Sequence, residues 1–154
     1  EEGVLDDSIQ VRIINKMDNR AVQLDSATGV IKMMNKDDSN VWQKWMLRVN
    51  GFSGQFVSVG SNKVQYLYKL MKVSQIRVAK VLSVRGLSDF TLGIPDNEGF
   101  FNIIATGGIE YSPGRLAIWD RGNDQKEGAK VNIYNQKGGE KQKFKLEAIN
   151  APPM

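Results

Sequence analysis

The side chains that could carry chemistry in this chain are carboxylates, amides, hydroxyls, Lys, Arg and aromatic rings, because its 154 residues include no Cys and no His. Thiol nucleophiles, Ser–His and Cys–His dyads, and zinc sites built on Cys or His are therefore excluded. A pair of carboxylates could still hydrolyse glycosides. The acidic residues lie in polar turns rather than in apolar segments that would raise a carboxyl pKa. We therefore expect neither enzyme activity nor a cofactor.

Two segments near the ends of the chain resemble each other, residues 11–47 and residues 101–146. Each has a short apolar strand, then a strand of small and apolar residues ending in Asp, then a third apolar strand followed by Asn. Each closes with Gln-Lys-aromatic-x-Leu, beginning at Gln43 and at Gln142. A repeat of this size indicates one structural unit that is used several times.

The rest of the pattern is almost entirely that of short strands. Apolar and β-branched runs separated by turn residues predict about a dozen of them. The best helix candidate, residues 68–84, is rich in Val and Ile and has no capping residue, so we predict strands there. The predicted strands are residues 11–14, 21–24, 30–34, 45–49, 55–59, 64–70, 76–84, 90–92, 101–104, 115–119, 130–134 and 143–148.

A third, weaker copy lies between the two end segments. Phe90 and Leu92 supply the aromatic-x-Leu closing, although Ser88 stands where Gln is expected. Three such units predict an all-β fold, a β-trefoil of twelve short strands in three pseudo-repeats. The predicted unit is a single domain, 1–154, with repeats at roughly 9–50, 51–97 and 98–150. One closing aromatic per repeat should enter the core, and each should stabilise it by roughly 2–3 kcal/mol.

These features resemble the β-trefoil of the ricin B chain and of the R-type lectin superfamily. The resemblance is carried by the Gln-x-Trp/Phe closings, the Asp after the second strand and the Val-Asn-Ile-Tyr-Asn of residues 131–135. It implies a carbohydrate-binding lectin without catalysis. A galactose-like sugar would stack on an aromatic ring of the third strand, while a carboxylate and amides would bind its hydroxyls. Affinity per site would be weak, so that several sites cooperate.

The last repeat matches the family's binding site best. The resemblance places Asp120 at the carboxylate position, Asn132 at a polar position, Tyr134 at the stacking position and Gln142 in the Gln-x-Trp motif. Lys141 stands where the family commonly has Asn, which disfavours plain galactose and leaves room for an acidic sugar. Two alternatives stay open: Gln142 could only hydrogen-bond backbone, and Tyr134 could be an ordinary surface residue.

The first repeat gives a weaker second site, formed by Asp25, Trp42 and Gln43. Its stacking position falls near Met33 and Met34, which are not aromatic. Trp42 replaces the usual Asn, and it either forms a shifted site or packs against the barrel or a neighbouring loop. The middle repeat has neither the Gln nor a matching Asp, so no sugar site is expected there.

The net charge of the whole chain is +4, and the positive charge is concentrated in its middle. A basic segment, residues 44–85, could attract an anionic polysaccharide, although spread charges of this kind more often solvate strand faces. We expect glycans or glycoproteins as partners and no nucleic acid, and a homodimer stays open. The basic residues of the segment are Lys44, Arg48, Lys63, Lys69, Lys72, Arg77, Lys80 and Arg85.

A second function class fits the same fold. A Kunitz-like or mycocypin-like protease inhibitor would insert an exposed loop into a protease cleft. A basic anchor for a serine protease could be Arg20, Lys63, Arg115 or Arg121. The opening pattern and disulfides of Kunitz inhibitors are missing, which disfavours this alternative. The lack of Cys mildly favours a reducing compartment, and both a cytoplasmic protein and a secreted one without disulfides stay open.

Overall fold

The computed structural model describes residues 4–50, 53–61, 64–70, 73–79, 90–105, 110–112 and 115–149. Within these ranges the chain forms strands, two single-turn 3-10 helices (Val41–Gln43 and Glu140–Gln142) and no α-helix. None of these helices is long and apolar enough to cross a membrane. The strands are β1 Val4–Asn15, β2 Ala21–Leu24, β3 Ile31–Met34, β4 Trp45–Asn50, β5 Ser53–Ser58, β6 Val64–Leu70, β7 Val73–Ala79, β8 Phe90–Leu92, β9 Ile103–Ala105, β10 Glu110–Ser112, β11 Arg115–Asp120, β12 Ala129–Lys130, β13 Asn132–Asn135 and β14 Phe144–Ala148.

Six of the strands close into a barrel. Antiparallel pairs join β1 to β4, β4 to β5, β5 to β8, and β8 to β9. A bridge from Phe101 to Phe144 and the pairing of β14 with β1 complete the ring. Three hairpins accompany it: β2–β3, β6–β7 and β11–β13. This is the predicted β-trefoil, and the described part has fourteen strands rather than twelve because β10 and β12 form two further short pairings.

The segment with the best helix signal forms a hairpin. β6 and β7 pair in continuous register from Val64 with Ala79 to Leu70 with Val73. Their β-branched and aromatic residues suit a pleated surface better than a helix. The strand prediction for this segment is therefore confirmed for residues 68–70 and 73–79, and residues 71–72 and 80–84 lie outside the described part.

The closing aromatics meet in the core, as predicted. Trp45 and Phe144 are fully buried, and Phe90 is 3 % exposed. Phe56 stacks on Phe90 with ring centroids 4.1 Å apart, and Trp119 contacts both Phe56 and Phe144 at 5.5 and 6.0 Å. These contacts connect the middle closing, Phe90, with the last one, Phe144. Trp45 belongs to the same buried cluster, so the residues that form the barrel also hold its hairpins in place.

Candidate functional site

A buried glutamine, Gln142, connects the parts of the last repeat through four side-chain hydrogen bonds, which are called its tie below. The Gln142 side chain is fully buried, and its amide nitrogen donates to Asp120 Oδ2 at 2.8 Å and to the Asn135 carbonyl at 2.7 Å. Its amide oxygen accepts from the backbone N–H groups of Lys137 and Gly138, at 2.8 and 3.1 Å. Gln142 therefore positions the carboxylate and the loop after β13, and it is too buried to contact a ligand itself.

The other expected residues of the last repeat gather around this tie. Asp120 ends β11 and lies opposite Asn132 in the β11–β13 register, and Tyr134 follows two residues later on the same face of β13. The Lys141 carbonyl accepts from the backbone N–H of Arg121 at 3.2 Å, which brings Lys141 beside the end of β11. The structure therefore places all five residues predicted for the last repeat in one neighbourhood, with Gln142 beneath the surface and Asp120 only 6 % exposed.

Two ammonium groups flank this neighbourhood. Lys137 Nζ lies 4.7 Å from the centroid of the Tyr134 ring and 3.2 Å from its hydroxyl oxygen. Lys141 Nζ donates to Asn123 Oδ1 at 3.2 Å. Asp120 Oδ1 accepts from the backbone N–H of Gly122 at 2.6 Å, so both carboxylate oxygens already have a protein donor. Each oxygen keeps a further lone pair for a hydroxyl.

The first repeat contains the same kind of tie with a different acceptor. Gln43 is 1 % exposed, and its amide nitrogen donates to Gln23 Oε1 at 3.0 Å and to the Asn35 carbonyl at 2.8 Å. Its amide oxygen accepts from the backbone N–H of Asp37 at 2.9 Å. Gln23 therefore does for Gln43 what Asp120 does for Gln142.

Strand register corrects one predicted correspondence. In the last repeat Asp120 pairs with Asn132, and in the first repeat Gln23 pairs with Lys32. Asn35 and Asn135 are equivalent, because the carbonyl of each accepts from the buried glutamine of its repeat. With the strands aligned on these two residues, the counterpart of Asp120 is Gln23 and not Asp25. The alignment on Asp was wrong by two residues, since it matched residue type and could not see the pairing. By the same register the counterpart of Tyr134 is Met34, and Met33 is buried in the core.

Asp25 and Trp42 nevertheless lie together, in a cleft of about 330 Å³. Asp25 Oδ2 pairs with Lys32 Nζ at 2.7 Å, and Oδ1 accepts from the backbone N–H of Ala27. The Lys32 ammonium, followed by that N–H, holds the pKa of the Asp25 carboxyl below its usual range. Gln43 does not line the cleft. The lining residues are Gln23, Leu24, Asp25, Ser26, Lys32, Met34, Trp42, Glu127 and Gly128.

Solved structures of similar shape are numerous, whereas no protein-family model and no curated sequence matches the chain. A ricin B-like lectin of Macrolepiota procera, solved with lactose, aligns with a TM-score of 0.74 and 15% identity over 94% of this chain and 98% of that one. The C-terminal half of an earthworm R-type lectin, solved with GalNAc, gives a TM-score of 0.66 and 13% identity over 91% and 98%. A designed three-fold symmetric protein, ThreeFoil, gives 0.74 and 15% over 90% and 97%.

The chain has the β-trefoil fold of the ricin B-like lectins. The same fold also occurs as part of longer proteins, since this chain matches 17% of a mosquitocidal holotoxin and 31% of an exo-β-1,3-galactanase from Clostridium thermocellum. At these levels of identity the likeness establishes the fold, and the two sites have to be argued from their own residues.

Residues that the sequence did not indicate support the last-repeat site from outside its repeat. The Asn15 side chain is fully buried and its amide nitrogen donates to the carbonyls of Glu140, Lys141 and Lys143 at 3.4, 3.3 and 3.1 Å. The Asn102 amide nitrogen donates to the Gln142 carbonyl at 2.7 Å. Both hold the 3-10 turn that presents Lys141. An Asn at a strand end is too common in turns for sequence to have predicted this role.

Two further expectations can be located in the structure only in part. Arg121, a candidate protease anchor, is 1 % exposed and forms an ion pair with Asp18, so it is not available to a protease. Arg20 also pairs with Asp18, at 2.7 Å. The side chains of Lys63 and Arg115, and those of most basic residues in the 44–85 segment, lie outside the described part of the structure. No group of three acidic side chains that could hold a metal occurs in the described part.

Proposed function

We propose that this protein binds carbohydrate without catalysis, mainly through a last-repeat site formed by Asp120, Asn132, Tyr134 and Lys141. One observation carries the proposal: Gln142 holds the carboxylate of Asp120 on the same hairpin that carries the half-buried ring of Tyr134. A fixed carboxylate suits a pair of sugar hydroxyls, and a ring suits the C–H face of a pyranose. The lectins of the same fold, which were solved with lactose and GalNAc, support this assignment.

The charges around the site favour an acidic glycan. One carboxylate, Asp120, is accompanied by two ammonium groups, on Lys137 and Lys141, so these three groups together carry a net positive charge. Lys137 lies over the ring of Tyr134 and has to move aside when a sugar stacks there. A cation–π contact of this exposed kind contributes only about 0.5–1 kcal/mol, and a sugar carboxylate or sulfate would give the displaced ammonium a new partner.

A glycan array with neutral, sialylated and sulfated glycans tests the proposal. Tyr134→Ala should reduce binding about tenfold, because the stacking surface is lost. Lys141→Asn should reduce binding of acidic glycans by about two- to fivefold, since an exposed ion pair contributes roughly 0.2–1 kcal/mol. Neutral glycans should be unaffected by that change. Binding of acidic glycans should also weaken as salt is added.

The controls separate the site from the fold. Lys145→Asn removes the same charge at a position outside both groups of site residues and outside the basic 44–85 segment, and its glycan profile should match that of the wild type. Asp120→Ala is a poor test by itself, because it also removes an acceptor of the buried Gln142. An unchanged array profile for Tyr134→Ala and Lys141→Asn, in protein with a normal melting transition, would refute the last-repeat site.

A further inference from the structure

The first-repeat cleft has an aromatic wall whose position is fixed. Trp42 is partly buried, lines the cleft and packs against the core from its edge. Its six-membered ring rests on Gly60, since a Cβ added to that glycine would lie 2.6 Å from Trp42 Cε3. Glycine has no such carbon, so the ring can lie directly over the turn after β5. The indole ring is therefore in place before any ligand arrives.

The turn that carries Trp42 is held on its other side as well. Asn40 Oδ1 accepts from the backbone N–H of Trp42 at 2.9 Å, and Asn40 Nδ2 donates to Gln23 Oε1 at 2.9 Å. Gln43 donates to the same oxygen at 3.0 Å. Both lone pairs of Gln23 Oε1 are therefore used within the protein, and the remaining hydrogen-bonding group of this side chain is its NH₂ donor. The negative charge of the cleft has to come from its carboxylates.

The charged groups of the cleft leave one negative charge without a partner. Asp25 Oδ2 pairs with Lys32 Nζ at 2.7 Å. Glu127 comes from the loop before β12, and its Oε2 accepts from the backbone N–H of Asn35 at 2.8 Å. Among the described residues no ion pair includes Glu127, so two carboxylates and one ammonium leave the cleft with a net charge of −1. A ligand with one positive charge would neutralise the cleft, whereas an anion would meet like charge.

The remaining walls of the cleft are apolar. Leu24 and Met34 line it beside Trp42, and a thioether is a soft, polarizable contact for methyl groups. An ammonium group that carries methyl groups combines apolar surface with positive charge, and the face of Trp is its best aromatic partner. The described residues offer no group of three acidic side chains for a metal ion. The volume of about 330 Å³ lies at the lower end of the range for small-molecule sites.

We propose that this cleft binds a small organic cation with a quaternary ammonium group, of the choline type. The ammonium would lie on the Trp42 ring, and the carboxylate of Glu127 would neutralise it. Asp25 would stay paired with Lys32, so that a single positive charge is enough. Choline should bind better than phosphocholine, because a phosphate would meet the carboxylates while the Lys32 ammonium is already paired. The site is independent of the carbohydrate site proposed for the last repeat.

The indole N–H signals in nitrogen–proton NMR spectra report on the cleft. The chain has three Trp residues, and two of them, Trp45 and Trp119, are 0 and 2 % exposed in the core. Trp42→Phe identifies the signal of Trp42 by removing it. Titration with choline should shift that signal and leave the other two in place. Dimethylbutanol, in which carbon replaces the ammonium nitrogen of choline, should bind about tenfold more weakly, because it has the same shape without the charge.

Two charge variants should change choline affinity in opposite directions. Glu127→Gln should weaken binding about two- to fivefold, because it removes the charge and keeps an oxygen for the Asn35 N–H. Lys32→Met should tighten binding by a similar factor of about two to five, because Asp25 then loses its ammonium partner and adds its charge to the cleft. A purely structural role of these side chains would not produce a gain. Glu98→Gln removes the same charge on the loop after β8 and should leave choline affinity unchanged.

Saturation-transfer NMR of choline follows the variants that lack the indole. Trp42→Ala should weaken binding about tenfold or more, and Trp42→Phe less, because a ring is retained. The proposal is overturned if choline leaves the Trp42 signal in place in protein with a normal melting transition. It is equally overturned if dimethylbutanol or lactose shifts that signal at the same concentration as choline, since charge would then play no part. Tighter binding of phosphocholine than of choline would also contradict it, because the cleft would then recognise a phosphate-bearing headgroup.

Discussion

Gln142→Ala tests how much of the last-repeat surface depends on its buried tie. The substitution removes two donated and two accepted hydrogen bonds, at 2.7–3.1 Å, and leaves Asp120 Oδ2 and the Asn135 carbonyl without that donor. A hydrogen bond contributes about 0.5–1.5 kcal/mol net, and one to a charged group about 1.5–3. Lys137 and Gly138 are exposed, so water can replace part of the loss. We expect the free energy of unfolding to fall by about 2–4 kcal/mol.

Gln43→Ala is the matched control in the first repeat. That glutamine is equally buried, but it makes three side-chain hydrogen bonds, at 2.8–3.0 Å, and none of them involves a charge. Gln23 Oε1 also keeps the donor from Asn40 after the substitution. The loss in unfolding free energy should therefore be smaller than for Gln142→Ala, by about 1 kcal/mol.

Gln142→Glu gives the same argument a pH signature. The new carboxyl oxygens would face Asp120 Oδ2 and the Asn135 carbonyl, which are both acceptors, so the buried pair would share a proton and its pKa would be raised. A raised folded-state pKa means that the variant is most stable below the unfolded value, near 4, and loses stability as the pH rises from there to the folded value. The wild type has no such loss from this group.

Urea unfolding of the three variants, followed by circular dichroism at several pH values, provides the measurement. The slope of unfolding free energy against urea should stay constant, which shows that the compactness of the end states is unchanged. The reasoning would be falsified if Gln142→Ala lay within about 0.5 kcal/mol of wild type, the range of ordinary surface substitutions. Equal losses of unfolding free energy for Gln142→Ala and Gln43→Ala would contradict the extra stabilisation that we assign to the hydrogen bond with the Asp120 carboxylate.

Three further changes address other contacts. Gly60→Ala should displace the Trp42 ring, shift Trp emission to longer wavelength and cost about 1 kcal/mol in urea unfolding, because its Cβ would lie 2.6 Å from the ring. Lys16→Met should raise the pKa of Asp96 from about 2 toward its ordinary value, as followed by NMR titration, because the Lys16 hydrogen bond is the main cause of the lowered value. That depressed pKa stabilises the fold above about pH 4 and the benefit is lost as the pH falls toward 2, so wild type and variant should converge in stability in acid. Phe90→Ala should cost about 3–5 kcal/mol in unfolding free energy if the middle closing is a core contact.

Sequence predicted the barrel well because its signal is repeated. Trp45 and Phe144 each follow Gln-Lys, and the alternation of apolar residues between turns marks the strands whichever neighbour they pair with. β2, β6 and β8 have the bounds that were predicted. Strand ends that depend on pairing were less accurate: residues 101–104 were predicted as strand, but Phe101 forms an isolated bridge and β9 begins two residues later.

The two sites show what sequence could not supply. Asp25 was matched with Asp120 by residue type, and only the pairing of Gln23 with Lys32 shows that the correspondence is two residues off. The support of Trp42 by Gly60 joins residues from different expected repeats, and no local pattern carries that information. Glu127 reaches the first-repeat cleft from the last repeat for the same reason.

The first and last repeats differ in the groups that they leave for a ligand, and this difference follows from the acceptor that each buried glutamine uses. An amide donor needs an oxygen opposite it, and either a carboxylate or an amide provides one, so both Asp120 and Gln23 can accept from the buried glutamine of their repeat. They differ in what is left for a ligand, which is a charged acceptor in one case and a neutral donor in the other. Residues near these two acceptors, such as Asp25 and Lys141, can then set the charge of their surroundings without altering the barrel. A fold of this kind can therefore keep its closings while each repeat acquires a specificity of its own, which is why the ligand of one repeat should not be inferred from that of another.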